Sequence, residues 1–176
     1  MKKPQLIVLT FLASAFIAQG QSPPKIEKGW KTFSQDNYTI QYPENWLLDS
    51  APKMGMSLVV FSKLTSPNDQ FKENINLLVQ DLKGKNIDLT KYVEISEEQI
   101  STLAANGKLI ETKRRKENGS EFQKMIYTSD DQMFKLKYEQ YYWIKNEKAY
   151  VLTCEASQFE TYKAPGEKIM NSFKFK

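Results

Sequence analysis

The side chains that most often carry catalysis or bind metals are scarce in this sequence. It contains no histidine, and Cys154 is its single cysteine. Serine and cysteine nucleophiles that depend on a histidine base are therefore excluded. The usual ligand sets for zinc, copper and iron are missing as well. We predict no catalytic residue, no metal site and no cofactor, and we expect that the protein is not an enzyme.

Carboxylates remain as one alternative chemistry. The adjacent pairs Glu97-Glu98 and Asp130-Asp131 lack the spacing of a calcium-binding loop, and we interpret them as solvated acids. A hydrolase would need two acids brought to within roughly 5 to 10 Å of each other in a cleft. That arrangement stays as an alternative hypothesis.

A run of basic residues, K-R-R-K at 113–116, is the strongest local charge feature. Successive side chains of a strand alternate between its faces, so Lys113 and Arg115 face one side and the other two face the opposite side. The run either protects a sheet edge from aggregation or binds an anionic partner, which would be a lipid headgroup or an acidic protein. Arg114 and Arg115 are therefore candidate partner-binding residues.

Consecutive aromatic residues, from Tyr141 to Trp143, form a second candidate contact. Alternation commits Tyr142 to one face of a strand and commits Tyr141 and Trp143 to the other. We expect both sets to be buried under helical layers. If Tyr141 and Trp143 were exposed, they would form an apolar patch suited to protein binding, so both are candidate partner-binding residues.

The surrounding pattern predicts the strands that must position these residues. Alternation of apolar and polar side chains is typical of half-buried strands. It predicts strands at 38–42, 57–63, 74–82, 108–116, 120–128, 132–144 and 148–157. Asn118-Gly119 is suited to the positive φ values of a two-residue hairpin turn. Lys145-Asn146-Glu147-Lys148 is predicted as a further turn, so the last four strands should form an antiparallel series. We expect Trp46 and Cys154 to be core residues.

Two helices are predicted from apolar residues at helical spacing. The first lies between Asp88, which is placed to cap its start, and Asn106-Gly107, which ends it. A later start at Ser96 is an alternative. The second covers 159–171 and should be broken or restarted at Pro165, with a short strand after it. A mostly antiparallel sheet with helices packed on it is an α+β fold.

The N-terminal residues predict export. Lys2 and Lys3 precede an apolar run at 6–18, and small residues follow, so 1–20 is predicted to be a signal peptide cleaved after Gly20. Residues 21–36 are predicted to be an extended leader, and 37–176 a single domain. Without the signal, 23 Lys and Arg face 21 Asp and Glu, a net charge of +2. This mild charge does not indicate a nucleic-acid partner.

The motifs of the domain resemble those of one family. The pattern Y-x-I-x-Y-P-x-x-W at 38–46, N-I-N at 74–76 and S-F at 172–173 is similar to PsbP-like domains, including the DcrB-type periplasmic domains of bacteria. The resemblance covers about 37–176 and implies an α/β/α sandwich around a central, mostly antiparallel sheet. It also implies an accessory, assembly or binding role rather than catalysis. The cysteine that anchors DcrB-type members to lipid is missing here.

These observations favour an exported, periplasmic or extracellular, non-catalytic accessory or binding domain. We expect it to act through contact with an unidentified protein partner, as a monomer, with no nucleic acid and no membrane span. The alternatives are the carboxylate-based hydrolase and a carrier of a small apolar ligand. The carrier would require a sizeable pocket lined with aromatic residues.

Overall fold

The computed structural model of the chain describes residues 27–51, 55–117, 119–130 and 133–176. The predicted signal peptide and its cleavage site lie outside the described residues, as do Asn118 and Asp131. The elements are, in chain order, β1 (Trp30–Ser34), β2 (Tyr38–Pro43), β3 (Leu47–Asp49), β4 (Met56–Phe61), β5 (Asn74–Asp81), α1 (Leu89–Leu103), β6 (Lys108–Glu117), β7 (Ser120–Asp130), β8 (Lys135–Lys145), β9 (Lys148–Ala156), α2 (Phe159–Asn171) and β10 (Lys174–Phe175).

Two antiparallel sheets organise the described residues. The larger has seven strands in the order β3-β4-β5-β9-β8-β7-β6, and the smaller has the order β1-β2-β10. The chain leaves the middle of the larger sheet at β5, crosses through α1 to the far edge at β6, and returns strand by strand. The two series of strands join where β5 pairs with β9. β3 and β6 are therefore the edge strands of the larger sheet.

Both faces of the larger sheet are covered. On one face, α1 packs Val93 and Ile100 against a cluster that includes Met125. On the other face, α2 contributes Ile169 and Met170 to a larger core that also includes the small sheet. The sheet thus lies between two helical layers, which confirms the predicted α+β fold and α/β/α sandwich.

The predicted hairpins are confirmed by the strand register. Glu117 pairs with Ser120 across a two-residue connection, in which Gly119 has a φ of 79°. Between β8 and β9, Asn146 and Glu147 both have positive φ, 51° and 54°. Two consecutive positive φ values match the twist of antiparallel strands, so turn chemistry that is local in sequence fixes the register of β8 with β9, and Gly119 supports the same for β6 with β7.

The first helix starts where its capping residue predicts. The Asp88 carboxylate accepts a hydrogen bond from the Lys91 backbone N–H at 2.8 Å, which satisfies one of the free N–H groups of the first turn. The alternative start at Ser96 is not formed, because the Ser96 hydroxyl donates to the Tyr92 carbonyl oxygen within a continuous helix.

The prediction of a break at Pro165 is wrong, because α2 continues through this residue. Phe159 before the proline and Ile169 after it are both buried, so packing holds the two halves of the helix on the same sheet. A Cβ on Gly166 would lie 2.9 Å from Cys154 Sγ. The helix therefore approaches β9 closely just after the proline.

Two strands were not expected from the sequence. β1 lies within the range 21–36 and pairs with β2 from Trp30↔Pro43 to Ser34↔Thr39. β3, with three residues, pairs with β4. Trp46 lies just before β3, half-buried, with its ring 6.2 Å from that of Tyr162 on α2. The division into signal peptide, leader and domain stays a prediction.

Candidate functional site: an aromatic cleft beside a basic edge strand

An open cleft of about 520 Å³ lies where β7 and β8 meet the end of α2 and β10. We call it the aromatic cleft, because rings line it from three strands and from the connection between α2 and β10: Phe122, Tyr141, Trp143, Phe173 and Phe175. Lys145 and Lys174 lie at its rim. Its volume is within the range of roughly 300 to 1,000 Å³ that ligand pockets occupy.

Strand alternation brings the rings of this cleft together. Tyr141 and Trp143 lie two residues apart on β8 and point to the same face. The centroid of the Phe122 ring lies 4.9 Å from that of Tyr141 and 5.4 Å from that of Trp143. Phe173, which follows α2, lies 5.0 Å from Trp143. Tyr141 and Trp143 are only 5 % and 7 % exposed, so they belong to the core and show little of their rings in the cleft.

The phenol of Tyr141 is a hydrogen-bond donor rather than a base. Its hydroxyl donates to Glu139 Oε1 at 3.1 Å and lies 3.2 Å from Asn171 Oδ1. Burial raises the pKa of Tyr141 far above its usual value of 10.0, and the negative charge of Glu139 raises it further. The phenol therefore stays protonated at neutral pH.

A buried ion pair lies under α2, outside the cleft lining. Lys124 Nζ on β7 is 2.6 Å from Glu139 Oε1 on β8; the Glu139 side chain is almost fully buried and that of Lys124 is mostly buried. Glu167 on α2 lies 3.8 Å from the same ammonium group. An unpaired buried charge is costly, so each partner of this pair is needed by the other. The pair therefore has a structural role, in which it connects β7, β8 and α2.

A second buried carboxylate, that of Glu73, is held by neutral donors. Glu73 Oε1 accepts from the Ser157 hydroxyl at 2.9 Å and from the Gln158 backbone N–H at 3.1 Å. Gln158 directly precedes α2 and makes no side-chain cap of its own. The carboxylate thus caps the positive end of the helix from another strand connection, which is a structural role.

Cys154 is buried and unreactive at neutral pH. Burial raises its thiol pKa to about 12, and nearby carboxylates, Glu139 first among them, act in the same direction. A nucleophilic cysteine needs the opposite shift. Its burial as a free cysteine confirms the structural interpretation made from the sequence.

β6 carries the predicted basic residues on an edge of the larger sheet. Arg115 pairs in register with Phe122 and therefore faces the cleft side of the sheet, whereas Arg114 faces α1. Arg114 donates to Thr90 Oγ1 at 3.2 Å and lies 3.9 Å from Glu121. In the described part of the chain, no carboxylate forms an ion pair with Lys113, Arg115 or Lys116.

The four predicted partner-binding residues are thus separated by the fold. Tyr141 and Trp143 line the aromatic cleft, Arg115 lies on the same face of the sheet, and Arg114 lies on the other. Their role in partner binding stays a prediction. Sequence reasoning missed Lys145 and Lys174 at the rim, because they come together only when β10 lies beside β8. No local pattern signals that contact.

A metal site finds no support within the residues that the structure describes. No group of three or more metal-ligating side chains comes together there. Among those residues, Glu117 is the carboxylate that lines the aromatic cleft. No helix of the described ranges is long and apolar enough to cross a membrane.

The sequence profile of the PsbP family matches residues 28–175. The chain therefore belongs to the PsbP family. No curated protein sequence matches it significantly. The matched range includes both sheets and both helices, so the family assignment covers the aromatic cleft and β6 together.

Solved structures show the same fold at low sequence identity. PsbP from the cyanobacterium Synechocystis sp. PCC 6803 is 15 % identical, with a TM-score of 0.59, and the match covers 90 % of this chain and 99 % of that one. LpqN from Mycobacterium tuberculosis, which is involved in cell envelope biogenesis, is 12 % identical, with a TM-score of 0.64, covering 83 % of this chain and 90 % of that one. A Pseudomonas aeruginosa protein of unknown function is 10 % identical, with a TM-score of 0.58 and coverage of 81 % and 94 %.

Proposed function

We propose that this protein is an exported, non-catalytic accessory domain of the PsbP family that acts by contact with another protein. Family membership supports the accessory role. The groups that could perform chemistry support it as well, because the Tyr141 phenol, the Cys154 thiol and the Glu73 and Glu139 carboxylates are all engaged in the core.

The observation that carries the proposal is the charge on β6. Charged side chains inside a protein are normally paired with opposite charges. Edge strands of a sheet are commonly short. β6 instead presents an exposed strand of ten residues with basic side chains on both faces. Such a surface attracts an acidic partner, and electrostatic complementarity gives specificity and fast association.

Site-directed photocrosslinking in the native compartment tests this proposal. A photoreactive residue in place of Lys116, which is exposed on β6, should capture a protein neighbour, and one in place of Lys83, on an exposed turn after β5, should not. Substitution of Arg114 and Arg115 by Ser should weaken the capture and reduce its dependence on salt. If no protein is captured from Lys116 or from the rim of the aromatic cleft, the accessory role through protein contact is wrong.

A second candidate function rests on the aromatic cleft. Its volume suits a small ligand, which would make the protein a carrier. Most rings of the lining are buried, so the polar groups around the cleft, Lys145 and Lys174 among them, would contribute to binding. Native mass spectrometry of protein purified from its own compartment should then show a bound small molecule. A Lys145→Ser variant should retain less of it, whereas Lys83→Ser should retain as much as the unchanged protein.

Export itself rests on the predicted signal peptide. An intact mass that corresponds to a chain starting at Gln21 would support it. The mass of the full chain from Met1 would contradict it, and the proposal of a periplasmic or extracellular location would then be withdrawn.

A further inference from the structure

The outer edge of β6 is open to another strand. β6 has one neighbour, β7, and no backbone hydrogen bond from the rest of the described chain reaches it. The opposite edge of the sheet, β3, has only three residues. A long edge strand with free N–H and C=O groups is a template for strand pairing, so β6 is the edge at which the sheet could be extended.

The register identifies which backbone groups point outward. Glu117 and Ser120 flank a two-residue connection and therefore form a hydrogen-bonded pair. Pairs alternate along an antiparallel ladder, so Arg115 and Lys113 also exchange hydrogen bonds with β7. The intervening residues, Lys116 and Arg114, direct their N–H and C=O groups to the outside, as does Thr112.

The charges define the chemistry of an added strand. Four consecutive cations, at 113–116, place positive charge on both faces of β6. Opposite charges on neighbouring strands stabilise their pairing. The complement is therefore an unbroken run of acidic residues, rather than acids that alternate with apolar residues. Glu111 and Glu117 lie on either side of the cations and would repel acids beyond them.

One existing contact favours the same partner. Lys113 lies directly opposite Lys124 of β7, and the Lys124 ammonium is committed to Glu139. Like charges opposite each other are destabilising, and an acid on the outer side of Lys113 would relieve the repulsion. A second copy of this chain, centred on the same residues, would instead place cations against cations.

We infer that β6 binds an extended acidic segment of a partner protein by strand addition, with a run of Asp or Glu aligned on 113–116. The inference rests on the proposed function and specifies its partner. Strand addition derives affinity from backbone hydrogen bonds and specificity from the side chains on either face. The acidic run would therefore have to be extended rather than helical.

The test uses a short synthetic peptide with a central run of glutamates, bound to the isotope-labelled protein and followed by amide hydrogen exchange. Binding should protect the amides of Thr112, Arg114 and Lys116 and leave that of Arg115 unchanged. Methylation of every backbone nitrogen in the glutamate run keeps the charge and removes the donors, so the methylated peptide should not bind. A lysine peptide should not bind either.

Matched variants separate charge at β6 from total charge. Lys113→Ser with Arg115→Ser should weaken binding of the glutamate peptide roughly tenfold, whereas Lys83→Ser with Lys85→Ser should leave it unchanged. The inference is wrong if the methylated peptide binds as well, if protection appears at the aromatic cleft, or if nothing binds at low salt. Protection of β6 by protein concentration alone would identify a second copy as the occupant.

Photocrosslinking distinguishes failure of this inference from failure of the proposed function. Capture of a protein from the rim of the aromatic cleft, with none from Lys116, would leave an accessory domain that docks elsewhere. Capture from neither surface would remove both. Capture from Lys116 with an acidic stretch as the crosslinked segment is the expected result.

Discussion

β9 and β6 belong to the same sheet and have similar lengths, yet their surroundings are opposite. β9 is buried at every position except Lys148 and Glu155, and it lies between β5 and β8 under both helical layers. β6 has no fully buried residue and one neighbouring strand. In the centre of the sheet, polar groups are matched inside the protein. At the edge, Lys113, Arg115 and Lys116 form no ion pair with a carboxylate of the described residues.

This difference predicts where substitutions change stability and where they change binding. Substitutions near β9 should alter the free energy of unfolding, because they disturb packing or leave a buried charge unpaired. Substitutions on β6 should leave the fold intact and alter association. The four predictions below run from the largest expected effect to the smallest.

The largest effect is expected at the buried ion pair beside β9. Glu139→Ala leaves the Lys124 ammonium without its 2.6 Å partner, and we expect a loss of about 3 kcal/mol in the free energy of unfolding. Urea denaturation followed by circular dichroism measures it. The control is Glu94→Ala, which breaks the exposed pair with Lys91 and should cost much less, because solvent screens exposed ion pairs. Equal losses of stability in the Glu139→Ala and Glu94→Ala variants would contradict a larger contribution from the buried pair.

At the contact between α2 and β9, the effect of Gly166→Ala on stability should change sign when Cys154 is replaced. Gly166→Ala places a Cβ against Cys154 Sγ, and overpacking of this kind costs roughly 1 to 3 kcal/mol. In a Cys154→Ala background the clash is removed, and the same substitution should stabilise by up to about 1 kcal/mol through helix propensity. Thermal unfolding of the four combinations measures the coupling. Purely additive effects would contradict close packing at this point.

Alkaline pH should lower the free energy of unfolding through tyrosines whose pKa is raised by burial. Burial raises the pKa of Tyr127 from 10.0 to about 12, with a contribution from the charge of Glu155. Between about pH 10 and 12 the unfolded chain therefore binds fewer protons at this residue than the folded chain. The free energy of unfolding should then fall as pH rises, by about 1 kcal/mol per unit.

The Tyr127→Phe variant isolates that slope. It removes the ionisable group, so its free energy of unfolding should fall less steeply than that of the unchanged protein across the same pH range. Denaturant titrations at fixed ionic strength measure both slopes. Identical slopes would show that Tyr127 does not contribute to alkaline unfolding.

The smallest effect on stability is expected at the edge. Lys113→Thr with Arg115→Thr removes charges that have no carboxylate partner among the described residues, so the free energy of unfolding should change by less than about 0.5 kcal/mol. Self-association should nevertheless increase, because edge cations discourage sheet-to-sheet pairing. Sedimentation velocity measures it, with Lys83→Thr and Lys85→Thr as the charge-matched control. A stability loss like that of Glu139→Ala would end the distinction between the two strands.

The sequence predicted the elements that depend on local chemistry. Asn118-Gly119 and the alternation around it placed the strands from β6 to β9, and Asp88 placed the start of α1. The resemblance of the motifs at 38–46, 74–76 and 172–173 predicted the family and its fold. Burial of Tyr141 and Trp143 was also expected, because helical layers were predicted to cover the sheet.

Only the tertiary structure decided the relations between distant segments. The pairing of β5 with β9, the return of β10 to β2, the aromatic cleft and the contact of Glu73 with the start of α2 all join residues far apart in the chain. The physical reason is that backbone preference and turn geometry act over a few residues, whereas strand order and burial depend on which surfaces cover one another. Alternation could thus assign Arg114 and Arg115 to opposite faces, but only the assembled sheet placed them on its open edge.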